Sequence, residues 1–427
     1  MANQWQHRIW IFAIVLVLMG TAMQAAHAQS YSVLHTFTGG ADGANPYDLL
    51  TIDAAGNLYG TTFLKGAGYG TVFKLTHRGS NWLLTTLYEF KGAGAHDGAG
   101  PYHQGVIFGP DGTLYGTTAS GGNGPACPNV FDQYSGCGTV FNLRPPAVTC
   151  KSALCPWTET VLYTFQGGSD GAVPYGNLVF DHAGNLYVTT YYGGGNCGGI
   201  NNCGAVYKLT RSGGGWTKSV VYNFTGSDGA NPGDGVSFDN AGNLYGTTLG
   251  GGAHGYGTVF KLTPSGSGWT ESVLYSFRGG SDGYSPYAAV IFDQAGNLYG
   301  TTESGTAFEL TPSDGSWTFT LLHSFVGVFE GGSHGRLVMD VAGNLYGTTQ
   351  ADDHDHGGTA FMLTPSDGSW IYTELHDFTG GSDGGDIENG LALGSNGHLY
   401  GTAAQGGSQG VGRTCQFGCG VVFEITP

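Results

Sequence analysis

The chain has 427 residues, 80 of them glycine, with 31 acidic and 14 basic side chains for a formal net charge of −17. A surface this acidic repels nucleic acid and anionic lipid, which excludes those partners and leaves cations, neutral glycans or proteins. The glycines recur with a period, so they mark turns in a folded chain and not disorder.

Residues 1–28 read as a signal peptide. Arg8 is a short basic head, residues 10–19 are an apolar stretch too short to span a bilayer comfortably, and Ala26-His27-Ala28 is a small-x-small cleavage site. The mature chain is expected to start at Gln29, to be secreted or periplasmic, and to carry no membrane span, because no second long apolar segment follows.

From there a phrase close to Leu-Tyr-Gly-Thr-Thr returns seven times, beginning at Leu58, Leu114, Leu186, Leu244, Leu298, Leu345 and Leu399. A unit of about 50 residues, rich in turns and β-formers, is the mark of a propeller blade. The fifth copy shows how a blade is written. Residues 287–293 are predicted as a first strand, and Asp293-Gln294-Ala295-Gly296-Asn297 as a hairpin turn. The second strand is Leu298–Thr302, the third 306–311 and the fourth 317–325.

All seven copies divide this way, but the chain finishes after a third strand, Val421–Thr426, and begins with a lone fourth strand, 31–37. Pairing the two completes the last blade and leaves no open edge at the seam. The expected fold is therefore all-β: a seven-bladed β-propeller of four-stranded blades over residues 29–427, closed by its N-terminal strand and expected to be a monomer.

At these residues the chain resembles a known family. Asp-x-Ala-Gly-Asn-Leu-Tyr-Gly-Thr-Thr followed by Gly-Thr-Val-Phe-Lys-Leu-Thr is similar to the GloVer (gloeo-Verruco) tandem repeat of exported bacterial proteins, over nearly all of the mature chain. The resemblance implies export and a propeller-like fold; it carries no reaction and no site residues. A looser similarity, the Gly-Asn-Leu-aromatic strand, links the chain to two-component-sensor and gluconolactonase propellers and bears on fold alone.

The eight cysteines form four short-range pairs, Cys127/Cys137, Cys150/Cys155, Cys197/Cys203 and Cys415/Cys419. In an exported chain these read as disulfides, each clipping one loop. Zinc is the rival reading, but the spacings match neither a finger nor a ribbon.

Residues that recur in every blade build the blade, so a functional site belongs where the copies differ. Asp42, Asp97, Asp170, Asp228, Asp282 and Asp383, each followed by Gly, recur ahead of the first strands. They form either a ring of Ca2+ ligands or, as the regularity favours, Asp-Gly turns whose carboxylates cap their own backbone. Asp48, Gln104, Asn177, Asp234, Arg336 and Asn389 vary between blades near the expected channel mouth and are candidate ligand-binding residues. Tyr191 and Tyr192, on a long glycine-rich loop, are candidates for stacking on sugar rings. Asp352, Asp353, His354, Asp355 and His356 form the densest cluster of metal-ligand type, weighed against a solvated acidic loop. The expected function is an extracellular binding or structural module for a polysaccharide or a protein. The alternative is a cation-assisted carbohydrate-active enzyme, of lactonase, lyase or glycosidase type, with its site at the channel mouth.

Overall fold

A computed structural model of the protein describes residues 29–64, 68–79, 81–103, 105–124, 127, 134–146, 157–194, 203–325, 332–333, 335–350, 357–407 and 415–427. The expected signal peptide lies outside the described residues.

The repeated phrase explains itself in the second strand of each blade. In blade 1 this strand is Leu58–Thr62, buried throughout. Leu58 enters the core shared with the preceding blade, against Tyr400 and Val422. Tyr59 donates its hydroxyl to the Asp53 carboxylate of the preceding turn at 3.1 Å. That carboxylate also accepts the backbone N–H groups of Ala55 and Asn57 and the Asn57 amide, at 3.0, 2.9 and 2.7 Å. Burial alone would raise its pKa, but these hydrogen bonds outweigh burial and hold it below the usual value.

Gly60 faces Phe73 of the third strand, and a Cβ there would lie 2.7 Å from the ring, so the phrase needs its glycine. Blade 3 departs, setting Val188 opposite Tyr207. The two threonines divide their work. Thr62 bonds Thr71 of the third strand at 2.8 Å. Threonines at the position before it reach the first strand of the next blade, as Thr348 does to the Asn389 carbonyl at 2.8 Å and Thr402 to the Asp48 carbonyl at 2.9 Å.

Seven four-stranded antiparallel sheets result, covering residues 51–89, 107–164, 172–223, 237–276, 291–324, 338–377, and 392–426 joined by Ser30–Thr36. We number them blades 1 to 7. Ser30–Thr36 pairs with Val421–Thr426 from Ser30↔Thr426 to Thr36↔Val421, which is the closure expected from the sequence. Tyr31 in this strand stacks on His376 of blade 6, ring centroids 3.8 Å apart, and donates its hydroxyl to the Asp383 carbonyl. Every blade packs apolar side chains against its neighbours, and the largest fully buried ones are phenylalanines and Tyr207.

One expectation needs correction. The first strands are not full-length ladder members: in blade 5 only Ile291–Phe292 pairs, and six blades have a two-residue first strand. Blade 3 alone keeps a longer one, Ala172–Phe180, interrupted between Tyr175 and Val179. The cause is local. In blades 1, 2, 4 and 5, Pro46, Pro101, Pro232 and Pro286 stand at the heads of these segments and lack a ladder N–H, whereas Pro174 in blade 3 is tolerated inside the longer strand. The residues before them, Asn45, Gly100, Val173, Asn231 and Ser285, have φ of 54°, 57°, 54°, 57° and 50°. Outside blade 3 the upper half of the first strand is left out of the main ladder and runs along the channel wall.

Two of the expected disulfides are formed, Cys127–Cys137 and Cys415–Cys419. Cys203 is also disulfide-bonded, while Cys150, Cys155 and Cys197 lie outside the described residues.

Candidate functional site

Several of these segments deliver a side chain to the upper mouth of the channel. Blades 1, 2, 3 and 5 spell x-Pro-Tyr and present Tyr47, Tyr102, Tyr175 and Tyr287. Blade 2 adds His103, at φ 52°. Blade 7 writes Asp386-Ile387-Glu388 at the same place, with Asp386 in the left-handed conformation, φ 58°. Glu388 is thus the acid where four blades carry tyrosine.

These residues meet. His103 Nε2 lies 2.8 Å from Glu388 Oε2, with the two side chains 4% and 11% exposed. Tyr102 donates its hydroxyl to the same carboxylate at 3.2 Å. Gln350 reaches Glu388 Oε1 at 3.1 Å and Asp386 at 3.2 Å, and Gln405 donates to Asp386 at 2.8 Å. Tyr287 donates to the Tyr175 hydroxyl. Around the imidazole stand the rings of Tyr102, Tyr287 and Tyr175, at centroid distances of 4.1, 5.4 and 5.5 Å. Tyr47 meets Tyr102 edge-on at 4.9 Å.

Burial, followed by the Glu388 charge, drives the phenols of Tyr47 and Tyr102 far up in pKa; burial and neighbouring tyrosines do the same for Tyr175. They stay neutral hydrogen-bonding groups. Burial also raises Asp386, helped by Glu388. The described polar groups here are carboxylates, carboxamides, phenols and one imidazole, set among aromatic faces.

The residues singled out from sequence fall in three places. Asn389 joins the upper mouth, its amide 3.4 Å from His103 Nδ1. Tyr191 and Tyr192, half-buried, extend the aromatic surface outward: Tyr191 packs 5.6 Å from Tyr175 and 4.7 Å from Tyr192. Asn177, Asp234 and Arg336 line a different space, a cavity of about 350 Å³ nearer the hairpin turns. Asp234 there accepts backbone N–H groups of Asn177 (2.9 Å), Gly235 (2.6 Å) and Ala289 (3.0 Å), which ties blades 3, 4 and 5 together. Asp48 is buried, 1% exposed. Gln104 lies outside the described residues, as do Asp352, Asp353, His354, Asp355 and His356. Among the described residues no three His, Cys, Asp or Glu side chains gather into a metal site.

The acidic turns are caps. Asp97 accepts the Lys91 N–H at 2.8 Å, the Gly98 N–H at 2.7 Å and the Tyr88 hydroxyl at 2.8 Å. Asp282 does the same with Arg278 N–H and Tyr275, and Asp228 with Thr225 N–H and Tyr222. The sequence reading passed over Tyr47, Tyr102, His103, Tyr175, Tyr287, Asp386 and Glu388. The signal that finds them is the recurrence of Pro-Tyr and its loss in blade 7.

Comparison with known proteins follows the fold. The sequence matches the Gloeobacter/Verrucomicrobia repeat over residues 18–201 and 196–415. No curated protein matches. Among solved structures, an ulvan lyase of polysaccharide lyase family PL25, bound to -[GlcA(1-4)Rha3S]-, superposes with TM-score 0.50 at 11% identity, over 88% of this chain and 90% of that one. A protein described as a 6-phosphogluconolactonase from Bacteroides uniformis gives 0.48 at 13% identity, over 78% and 84%. PorZ, a surface component of the type-IX secretion system of Porphyromonas gingivalis, gives 0.48 at 16%, over 90% and 47%. At these identities the likeness is one of fold.

Proposed function

Starting from a chain that belongs to the Gloeobacter/Verrucomicrobia repeat family, we propose an exported binding module that takes a neutral glycan at the upper mouth of the propeller. The observation that carries this reading is the tyrosine ring around the His103–Glu388 pair. Aromatic faces stack on the apolar faces of sugar rings, and the adjoining carboxylates and carboxamides are acceptors and donors for hydroxyl groups. Glu388 and Asp386 disfavour an anionic sugar at this mouth. Tyr191 and Tyr192 continue the aromatic surface toward the rim, which suits a chain of several sugar units more than a single one.

The test is binding of the purified protein to a panel of neutral and acidic oligosaccharides by calorimetry. Saturable binding of a neutral oligosaccharide that weakens by about tenfold or more in Tyr102→Ala supports the reading. Binding confined to acidic oligosaccharides, or unchanged in the variant, sinks it. The same reaction mixtures are assayed for new reducing ends. The close His103–Glu388 pair, an acid and a base in one hydrogen bond, favours the enzymatic alternative if turnover appears.

A further inference from the structure

The lower cavity differs in chemistry from the mouth above it. Its walls are the paired ends of first strands, with Val179 and Ile291 among them, and its polar groups are Asn177, Asp234, Ser237 and Arg336. Arg336 comes from blade 6, where the x-Pro-Tyr pattern is absent. Its guanidinium is half-buried, donates from Nη2 to Ser237 Oγ at 2.8 Å, and makes no other hydrogen bond and no ion pair among the described residues. Ser237 in turn donates to the Val290 carbonyl at 3.2 Å, which fixes its hydroxyl beside the arginine. A guanidinium carries five N–H donors in a planar fork that matches a carboxylate. In a chain of 31 acidic side chains, this one faces a cavity whose described acid, Asp234, is taken up by backbone N–H groups and forms no ion pair with it.

We propose that this cavity binds a small organic monocarboxylate, gripped side-on by the Arg336 fork. Three observations narrow the ligand. The volume, about 350 Å³, is at the small end of ligand pockets and fits a single sugar acid or a molecule of that size. Asp234 already accepts three backbone N–H groups, so its carboxyl group is fixed in the cavity wall and disfavours a densely charged anion such as phosphate. Asn177 and the apolar wall offer an amide for a hydroxyl and a surface for a carbon skeleton.

The matched probes are D-glucuronate, D-gluconate, D-glucose and inorganic phosphate, titrated into the purified protein by calorimetry and thermal shift. The expected result is a saturable response and a raised Tm with one or both carboxylates. Phosphate should bind more weakly than the better carboxylate, and Tyr102→Ala should leave the carboxylate response unchanged. Arg336→Gln should weaken the response by about tenfold or more, and Arg336→Lys should weaken it less, since it keeps the charge but not the fork. Circular dichroism and Tm establish that each variant is folded. If Arg336→Gln does not fold, Ser237→Ala replaces it and should weaken binding several-fold while keeping the arginine. Silence with both carboxylates, equal binding in a folded Arg336→Gln or Ser237→Ala, or tighter binding of phosphate overturns the proposal. Failure at the upper mouth leaves this result intact, because glucose-type ligands report on Tyr102 and carboxylates on Arg336.

Discussion

The two ends of the channel are made from the same seven segments and end up chemically opposed. Above, tyrosines from four blades surround an acid from blade 7 and a histidine from blade 2. Below, apolar strand ends from blades 3 to 5 surround one guanidinium from blade 6. Each character traces to a blade that breaks the common pattern, Ile-Glu for Pro-Tyr in blade 7 and an arginine in blade 6. The repeat supplies the wall, and the departures supply the chemistry. Asp234 sits between, bonded to three blades at once.

The largest expected effect comes from removing that junction. Asp234→Ala strips the acceptor from three N–H groups, and leaving such groups unsatisfied costs about 3 kcal/mol or more. A clear drop in Tm with weaker binding at both ends is expected; an unaltered melting curve would show that the ends are independent of this carboxylate. Next is Glu388→Gln, expected to weaken neutral-glycan binding by about tenfold and leave the carboxylate response at Arg336 unmoved. Equal losses at both ends in calorimetry would merge the two sites into one.

A smaller effect is expected from mild reduction. Cys127–Cys137 and Cys415–Cys419 span only 10 and 4 residues, so opening them should loosen rim loops while the ring's Tm stays within a few degrees. Global unfolding would give the clips a role in the ring itself.

The smallest effect concerns a control region at the outer rim. Burial, then the charge of Asp97, lifts Glu159 to about 8, and burial with Asp228 lifts Glu271 to about 7. Both folded-state values exceed the ordinary 4.5, so the stability they contribute is complete below about pH 4.5 and is lost as pH rises through 7 to 8. Glu159→Gln should flatten this part of a Tm-versus-pH profile and change binding at neither end. An unchanged slope would remove Glu159 from the account.

The fold was legible because every blade repeats its own instructions. Leu58, Tyr59, Gly60 and Thr62 each have a distinct partner that recurs around the ring, and the split blade declared itself in an unpaired strand at each terminus. The upper mouth was far less legible. His103 and Glu388 are neighbours only once the four intervening blades have been placed, and periodicity says what each blade shares, not which blades face each other across an axis. Attention went to Asp48 and Asp234, one residue beyond the position that points into the mouth. Asp48 is buried and Asp234 is consumed by backbone N–H groups. Arg336 was visible for the opposite reason: an arginine in a first strand has no counterpart in the other copies.

The closing strand has a consequence for biogenesis. Ser30–Thr36 is made early but finds its ladder partner, Val421–Thr426, only after the other strands of the ring have been made. Until then it is an unsatisfied edge, and so is the outer flank of the nascent seventh sheet. Contacts this remote in sequence form late and slowly. A propeller with this seam spends its youth as an open arc, so a holdase would find these two ribbons exposed.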